Sequence, residues 1–190
     1  MDPENYIYLD NAATTRVSPA IADTIKDIMV NGYGNPSSSH TLGLAAAQYI
    51  RSARTTLASC LGVGEEEIIF TSGASESNSL ALFGAALATR RKGRHIIYSN
   101  IEHPSVIEPL KLLGQYGFTA EACPVNRQGM VEPQVLERMI KPDTIIVSIM
   151  MVNNEIGSVQ RLADLVKATR RVNPNVCFHS DGVQAFGKIP

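Results

Sequence analysis

The final stretch of the sequence carries a carboxylate and a carboxamide in a position that is useful for chemistry. A short apolar run at 176–180 is followed at once by Asp181 and then by Gln184. A carboxylate that faces a ring nitrogen keeps that nitrogen protonated, and an amide can donate a hydrogen bond to a neighbouring hydroxyl group. By themselves the two side chains are equally compatible with a helix cap or a turn. Their interpretation therefore depends on what else reaches the same place.

Three other polar positions follow apolar or small-residue runs in the same way. His103 comes shortly after the run HIIYS, Asn154 comes shortly after TIIVSIM, and Ser75 lies in the segment SGASES. An imidazole can stack on a ring, and an asparagine amide can bind a ring hydroxyl. The segment SGASES can bind an anion, because Gly73 lets the backbone approach closely and the N–H groups at a helix N-terminus attract phosphate. Each position also has a plain structural interpretation as a loop, a turn or, for Ser75, a helix cap.

The combined set of side chains fits a phosphorylated pyridine. Such a ligand needs an anion cradle, a partner for its ring nitrogen, donors for its ring hydroxyl and a side chain against its ring face, which is how proteins tune pyridoxal phosphate. Spacing alone does not separate this cofactor from other phosphorylated heterocycles. The segment SGASES matches neither GxGxxG nor GxxxxGK[ST], so the sequence argues against dinucleotide and Walker-type sites.

The elements that must position these side chains follow a simple alternation after the first third of the chain. Nearly continuous apolar runs separated by helical patterns predict an α/β fold, with a mainly parallel sheet and helices on both faces. In such sheets ligands bind at the carboxyl ends of the strands, which is where four of the five predicted strands deliver polar groups. The predicted strands are 67–71, 95–99, 118–125, 144–150 and 176–180. The predicted helices are 19–30, 38–61, 76–92, 104–116, 132–140 and 160–172.

Composition excludes several classes of function. The formal net charge of the 190 residues is −1, which provides no field to attract nucleic acid or an anionic membrane. No apolar run approaches the roughly 20 residues of a transmembrane helix, and the polar N-terminus is unlike a signal peptide. Cys60, Cys123 and Cys177 are far apart and form no CxxC pair, which is typical of reduced thiols in a cytoplasmic protein. His179 and Asp181 share one strand end, and two such residues do not make a metal site.

Six motifs carry a resemblance to a known family. In order and spacing, YLDNAATT, GNPSSSH, TSGASES, IEHPSV, VSIMMVNNEIG and HSDGVQAFGKIP resemble the cysteine desulfurases of the NifS/IscS type, and the likeness spans all 190 residues. The resemblance implies a pyridoxal-phosphate enzyme of the aspartate-aminotransferase-like fold (fold type I). It further implies an extended segment at 1–15, an incomplete large domain at 16–190, and a small C-terminal domain that is absent from this chain.

The same resemblance implies roles for individual cofactor-binding residues. Ala74 and Ser75 are expected to hold the cofactor phosphate. His103 is expected to stack on the pyridine ring and to move protons. Asp181 is expected to pair with the ring nitrogen, and Gln184 with the ring hydroxyl.

The substrate side of the site is also implied by the resemblance. Asn154 is expected near the ring hydroxyl and the substrate carboxylate, and Asn11 and Ala12 are expected at the substrate end. The substrate would be L-cysteine, which gives alanine and an enzyme persulfide whose sulfur serves iron–sulfur cluster assembly or tRNA thiolation. The implied partners are a second copy of the chain or a complementary C-terminal chain, and a sulfur-acceptor protein.

Several residues of the family's chemistry are expected beyond Pro190. They are the Schiff-base lysine, the persulfide-forming cysteine and the arginine that binds the substrate. The chain by itself is therefore expected to be inactive. Three readings stay open: a fragment of a longer enzyme, one subunit of a split enzyme, and a non-catalytic chain that pairs with an intact subunit. Selenocysteine lyase also stays open as an alternative to cysteine desulfurase.

Overall fold

Two helices form most of the first of two compact units in the computed structural model, which describes residues 6–189. This unit ends at Phe70. Helix α1 spans Pro19–Asn31 and begins as predicted, because the Ser18 hydroxyl accepts a hydrogen bond from the first turn and proline follows it. Helix α2 spans Thr41–Leu61 and ends at Gly62, whose φ of 67° is the left-handed conformation that favours glycine.

The predicted strand at 67–71 is wrong. A 3-10 turn occupies Glu65–Glu67, and residues 68–71 are extended without pairing to any strand in the described part of the chain. The carbonyl of Ile68 instead accepts a hydrogen bond from Arg54 Nε at 3.4 Å. The same guanidinium lies 5.0 Å from the centroid of the Phe70 ring. An apolar pattern shows that the side chains suit a strand. A strand also requires a neighbouring backbone with which to pair.

A four-stranded parallel sheet forms the centre of the second unit, which begins at Thr71. The strand order is β2-β1-β3-β4, and every pairing is parallel, as the sequence predicts. The strands are β1 (His95–Ser99), β2 (Thr119–Cys123), β3 (Thr144–Ser148) and β4 (Cys177–His179). The helices are α3 (Ala74–Thr89), α4 (Pro104–Gly114), α5 (Pro133–Met139) and α6 (Leu162–Val172).

Helices cover both faces of this sheet. Successive strand residues point to opposite faces, so Ile96 and Ile146 pack with residues of α3 and α4. Their neighbours Ile97 and Val147 pack with residues of α5 and α6. All five residues of β3 are buried, which explains its uninterrupted apolar sequence. The predicted α/β class is confirmed, and the sheet presents the carboxyl ends of β1, β3 and β4 at one edge.

None of the described helices is both long enough and apolar enough to cross a membrane.

Candidate functional site

The predicted site residues of the second unit lie in loops at the carboxyl ends of three strands and at one helix N-terminus. His103 follows β1, Asn154 follows β3, and Asp181 follows β4. Ala74 and Ser75 are the first two residues of α3. Because neighbouring parallel strands end at the same edge of a sheet, one topology positions all of these loops.

Asp181 is buried and held on both carboxylate oxygens. Asp181 is only 7% exposed. Oδ2 accepts a hydrogen bond from Asn78 Nδ2 at 2.8 Å, and Oδ1 accepts one from the backbone N–H of Val183 at 2.9 Å. Its carbonyl oxygen accepts from the backbone N–H of Met151 at 2.9 Å, which ties the loop after β4 to the loop after β3. The carboxylate therefore has a fixed direction before any ligand binds.

His103 caps α4 with one side of its ring. Nδ1 accepts a hydrogen bond from the backbone N–H of Ser105 at 3.1 Å and lies 2.9 Å from the Ser105 hydroxyl oxygen. Pro104 follows the cap at the first helical position, where its missing N–H costs nothing. The plain interpretation of His103 as a capping residue is thus realised. The cap uses only Nδ1, and the imidazole as a whole is exposed.

Asn78 links Asp181 to Ser105, the hydrogen-bond partner of His103, and it was not predicted from the sequence. Its Nδ2 donates to Asp181 Oδ2 at 2.8 Å and to Ser105 Oγ at 3.0 Å. The residue is 4% exposed and lies one helical turn beyond Ala74 on α3. Positions three and four residues apart share a helix face, so this spacing is a signal that could have pointed to Asn78. Ser105 was also missed, although it is the serine of the IEHPSV motif.

The N-terminus of α3 is open to an anion. The cap residue is Gly73, and no side chain caps the helix. The interpretation of Ser75 as a helix cap is therefore wrong, since the helix starts before it, at Ala74. Glu76 turns back instead, and its carboxylate accepts from the backbone N–H and the hydroxyl of Ser72 at 2.7 and 2.6 Å. These hydrogen bonds from Ser72 hold the pKa of Glu76 below its usual value.

A cavity of about 260 Å³ lies between the loop after β1 and the turn after β3. His103 and Asn154 both line it. The adjacent Asn153 builds its wall: Nδ2 donates to the carbonyl of Ile101 at 2.9 Å, and Oδ1 accepts from two backbone N–H groups of the turn. Asn154, the predicted residue of the pair, is half-buried at the wall, whereas the Asn153 amide hydrogen-bonds to neighbouring loops.

Glu102, beside His103, is a buried carboxyl group that the sequence analysis did not single out. Its Oε1 accepts from the Ser99 hydroxyl at 2.5 Å and from the backbone N–H of Met150 at 2.7 Å, which joins the end of β1 to the end of β3. Its Oε2 is buried with no hydrogen-bond partner in the part of the chain that the structure describes. Burial raises the pKa of Glu102 to about 7 and outweighs the two hydrogen bonds, which lower it.

The remaining predicted residues have local partners. Gln184 lies in the turn after Asp181, and its Oε1 accepts from Lys188 Nζ at 2.9 Å. Asn11 and Ala12 belong to a turn in the first unit, where Asn11 Nδ2 donates to the carbonyl of Tyr8 at 3.2 Å. Their roles at the substrate end stay predictions. Among residues 6–189, no cluster of three or more His, Cys, Asp or Glu side chains is suited to hold a metal ion.

Comparisons with known proteins point to one family. A family model described as aminotransferase class-V matches residues 7–190. A cysteine desulfurase IscS of Dictyoglomus turgidum is 41% identical over 184 residues, which are 97% of this chain and 46% of that relative. A solved NifS-like protein matches with a TM-score of 0.94 at 38% identity, over 97% of this chain and 50% of its own. The structure of SspA in complex with cysteine matches with a TM-score of 0.89 at 34% identity, over 95% and 52%. The chain thus spans about half the length of the relatives it matches.

Proposed function

This chain belongs to the aminotransferase class-V family, and from that premise we propose that it forms the cofactor-binding part of a pyridoxal-phosphate-dependent cysteine desulfurase. Its resemblance to NifS/IscS-type cysteine desulfurases indicated the same family. The single observation that carries the proposal is the buried Asp181 carboxylate, fixed on both oxygens and linked through Asn78 and Ser105 to His103. A turn accounts for the hydrogen bond from Val183 but not for the one from Asn78, which belongs to a different element.

The residues present fit pyridoxal phosphate. The uncapped N-terminus of α3 offers backbone N–H groups at Ala74 and Ser75 to a phosphate, and the helix dipole favours a negative charge there. Asp181 is a carboxylate that can keep a pyridine nitrogen protonated. When bound, the cofactor supplies an electron sink that stabilises negative charge on the substrate carbon next to the amine.

The other polar side chains orient this ligand in the proposal. The His103 ring would cover one face of the pyridine and move protons, with Nε2 presented to the ligand because Nδ1 is used by the helix cap. Asn154 offers its amide at the cavity wall. The Gln184 carboxamide, whose oxygen accepts a hydrogen bond from Lys188, would donate one to the ring hydroxyl.

L-cysteine is the proposed substrate, with alanine and an enzyme persulfide as the products. It is supported by the similarity to cysteine desulfurases and to a protein solved in complex with cysteine. Delivery of the sulfur to an acceptor protein, pairing with a second copy or a complementary chain, and a cytoplasmic location belong to the same proposal. So does inactivity of these 190 residues by themselves, with the cofactor held noncovalently.

The proposal is tested by titrating the purified protein with pyridoxal phosphate and following its visible absorbance. Replacing Asp181 by Asn removes a charge-assisted hydrogen bond worth about 1.5–3 kcal/mol, so we expect the affinity to fall about ten- to hundredfold. The matched control is Asp164→Asn, which alters a half-exposed carboxylate on α6 and should leave the affinity unchanged.

Borohydride treatment followed by intact-mass analysis separates noncovalent from lysine-bound cofactor in the same samples. We expect no adduct at a single defined lysine. An affinity that is equal in the wild-type protein and the Asp181 variant would overturn the proposed cofactor site. A unique lysine adduct, or sustained sulfide release from L-cysteine, would overturn the proposed inactivity alone.

A further inference from the structure

A chain of hydrogen bonds crosses the candidate site from the Asp181 carboxylate to the His103 imidazole. It runs from Asp181 Oδ2 to Asn78 Nδ2 at 2.8 Å, from Asn78 Nδ2 to Ser105 Oγ at 3.0 Å, and from Ser105 Oγ to His103 Nδ1 at 2.9 Å. The four residues come from α3, α4, the loop after β1 and the loop after β4, so the chain joins separate elements.

The direction of each hydrogen bond in this chain is fixed by chemistry. An ionised carboxylate only accepts, so Asn78 must turn its NH2 group, and not its carbonyl oxygen, toward Asp181. That NH2 group has two protons, and the second one is donated to the Ser105 oxygen. The Ser105 hydroxyl has a single proton, which is then left for His103 Nδ1.

His103 Nδ1 consequently receives two hydrogen bonds. One comes from the Ser105 hydroxyl, and the other comes from the backbone N–H of Ser105 at 3.1 Å. A nitrogen that accepts hydrogen bonds carries no proton of its own. The neutral ring must therefore carry its proton on Nε2, the atom that the cap does not use.

We propose that Asn78 is a positioning residue that links the Asp181 carboxylate to His103 through Ser105, directs the Ser105 hydroxyl proton to Nδ1 and so reinforces the form of the neutral imidazole that is protonated at Nε2. The inference deepens the proposed function and takes its meaning from it. A ligand over the imidazole would meet a hydrogen-bond donor at Nε2 in the resting protein, and it could not pass a proton to that atom. Asn78 would thereby align the ring-nitrogen partner and this hydrogen-bond donor with one side chain.

A purely structural role for Asn78 makes a different prediction. An amide that only joins α3 to α4 and to the loop after β4 would contribute to stability without acting on the imidazole. Its removal would lower the melting temperature and leave the nitrogen chemical shifts of His103 in place. These chemical shifts are therefore the quantity to measure.

The experiment is nitrogen-15 NMR of the histidine rings in the purified protein without cofactor, at about pH 8, where an ordinary imidazole is neutral. His103→Asn assigns the resonances. We expect the wild-type protein to show a bare Nδ1 and a protonated Nε2. Ser105→Ala removes the hydroxyl donor and should move the Nδ1 resonance toward that of a nitrogen without this hydrogen bond, whereas Ser105→Thr retains the hydroxyl and should restore the wild-type position.

Asn78→Ala should move the Nδ1 resonance in the same direction by a smaller amount, because the hydroxyl remains but is no longer polarised. It should also shift the side-chain carboxyl carbon of Asp181. The matched control is Ser79→Ala, the next residue on α3, for which no change is expected. If Asn78→Ala does not fold, Asn78→Ser, which keeps a polar side chain but has no NH2 group, takes its place and should give the same shift.

A protonated Nδ1 in the wild-type protein would overturn the inference, and so would a wild-type His103 spectrum in folded Ser105→Ala and Asn78→Ala. Neither result bears on pyridoxal phosphate binding, which is measured separately. Conversely, failure of the cofactor to bind would overturn the proposed function and leave the tautomer unchanged.

Discussion

At the scale of single residues, the charge state of Glu102 couples folding to pH. Its carboxyl is buried, accepts two hydrogen bonds on one oxygen and has a pKa raised to about 7 by burial. An acid whose pKa is higher in the folded state than in the unfolded state binds more protons when folded. Glu102 therefore makes the protein less stable as the pH rises from about 4.5 to about 7, and the loss is complete above that range.

We expect Glu102→Gln to remove this pH dependence. Glutamine keeps an oxygen that can accept from Ser99 and Met150 but carries no charge to desolvate. Relative to the wild-type protein, the variant should gain up to about 3 kcal/mol of unfolding free energy between pH 5 and pH 8, the equivalent of about 2.5 pKa units. Urea denaturation at several pH values measures the difference.

Glu108→Gln is the control for Glu102→Gln. Glu108 is an exposed glutamate on α4 that pairs with Lys111. Its variant should follow the wild-type pH profile. A constant stability difference between Glu102→Gln and the wild-type protein across this pH range would contradict the assignment.

Residue types and positions were predictable, but hydrogen-bond partners were not. Asp181 and His103 could be chosen because each follows a strand end, where α/β proteins bind ligands. Asn78 could not be paired with Asp181, because 103 positions separate them and only the folded chain brings them together. Glu102 was passed over for a related reason: nothing in the sequence shows that the loop after β1 is buried against the end of β3.

At the scale of elements, α4 depends on a cap that belongs to the site. Histidine at the cap satisfies the backbone N–H of Ser105, one of the donors that the first turn leaves without a helical partner. One imidazole thus stabilises a helix, and we expect it to face the proposed ligand as well.

Two substitutions of His103 should separate these functions. His103→Ala removes the cap and should cost about 1 kcal/mol of unfolding free energy, whereas His103→Asn supplies a side chain that caps helices well and should cost much less. Both remove the ring, so both should weaken pyridoxal phosphate binding to a similar degree.

Chemical denaturation and the absorbance titration measure the two quantities for the His103 variants. The ring itself would contribute nothing to binding if the affinity fell only where stability falls, strongly in His103→Ala and not at all in His103→Asn.

The helices and four of the five strands were predicted from periodicity and end signals. Ser18-Pro19 and Gly62 defined helix ends through local chemistry, and those ends are found within one residue. The prediction of a strand at 67–71 failed because strand pairing depends on residues that are distant in the sequence. The N-terminus of α3 was placed two residues late, since the cap is a glycine that contributes no side chain for a pattern to detect.

At the scale of the whole molecule, the second unit is organised around its parallel sheet. The buried strands fix where the loops emerge, and the loops place the carboxylate, the imidazole and the helix N-terminus at the same edge. The fold class follows from the alternation of elements in the sequence. The identity of the ligand does not, since spacing alone left other phosphorylated heterocycles open, and it rests on the family together with the fixed carboxylate.

The protonation state of the cofactor ring tests the central claim most directly. Pyridoxal phosphate labelled with nitrogen-15 in its ring, bound to the purified protein near neutral pH, reports whether the ring nitrogen carries a proton. We predict a protonated ring nitrogen in the wild-type protein and a bare one in Asp181→Asn, because only a carboxylate holds that proton. A bare ring nitrogen in the wild-type complex would contradict the account, since Asp181 would then not be the partner of the cofactor ring.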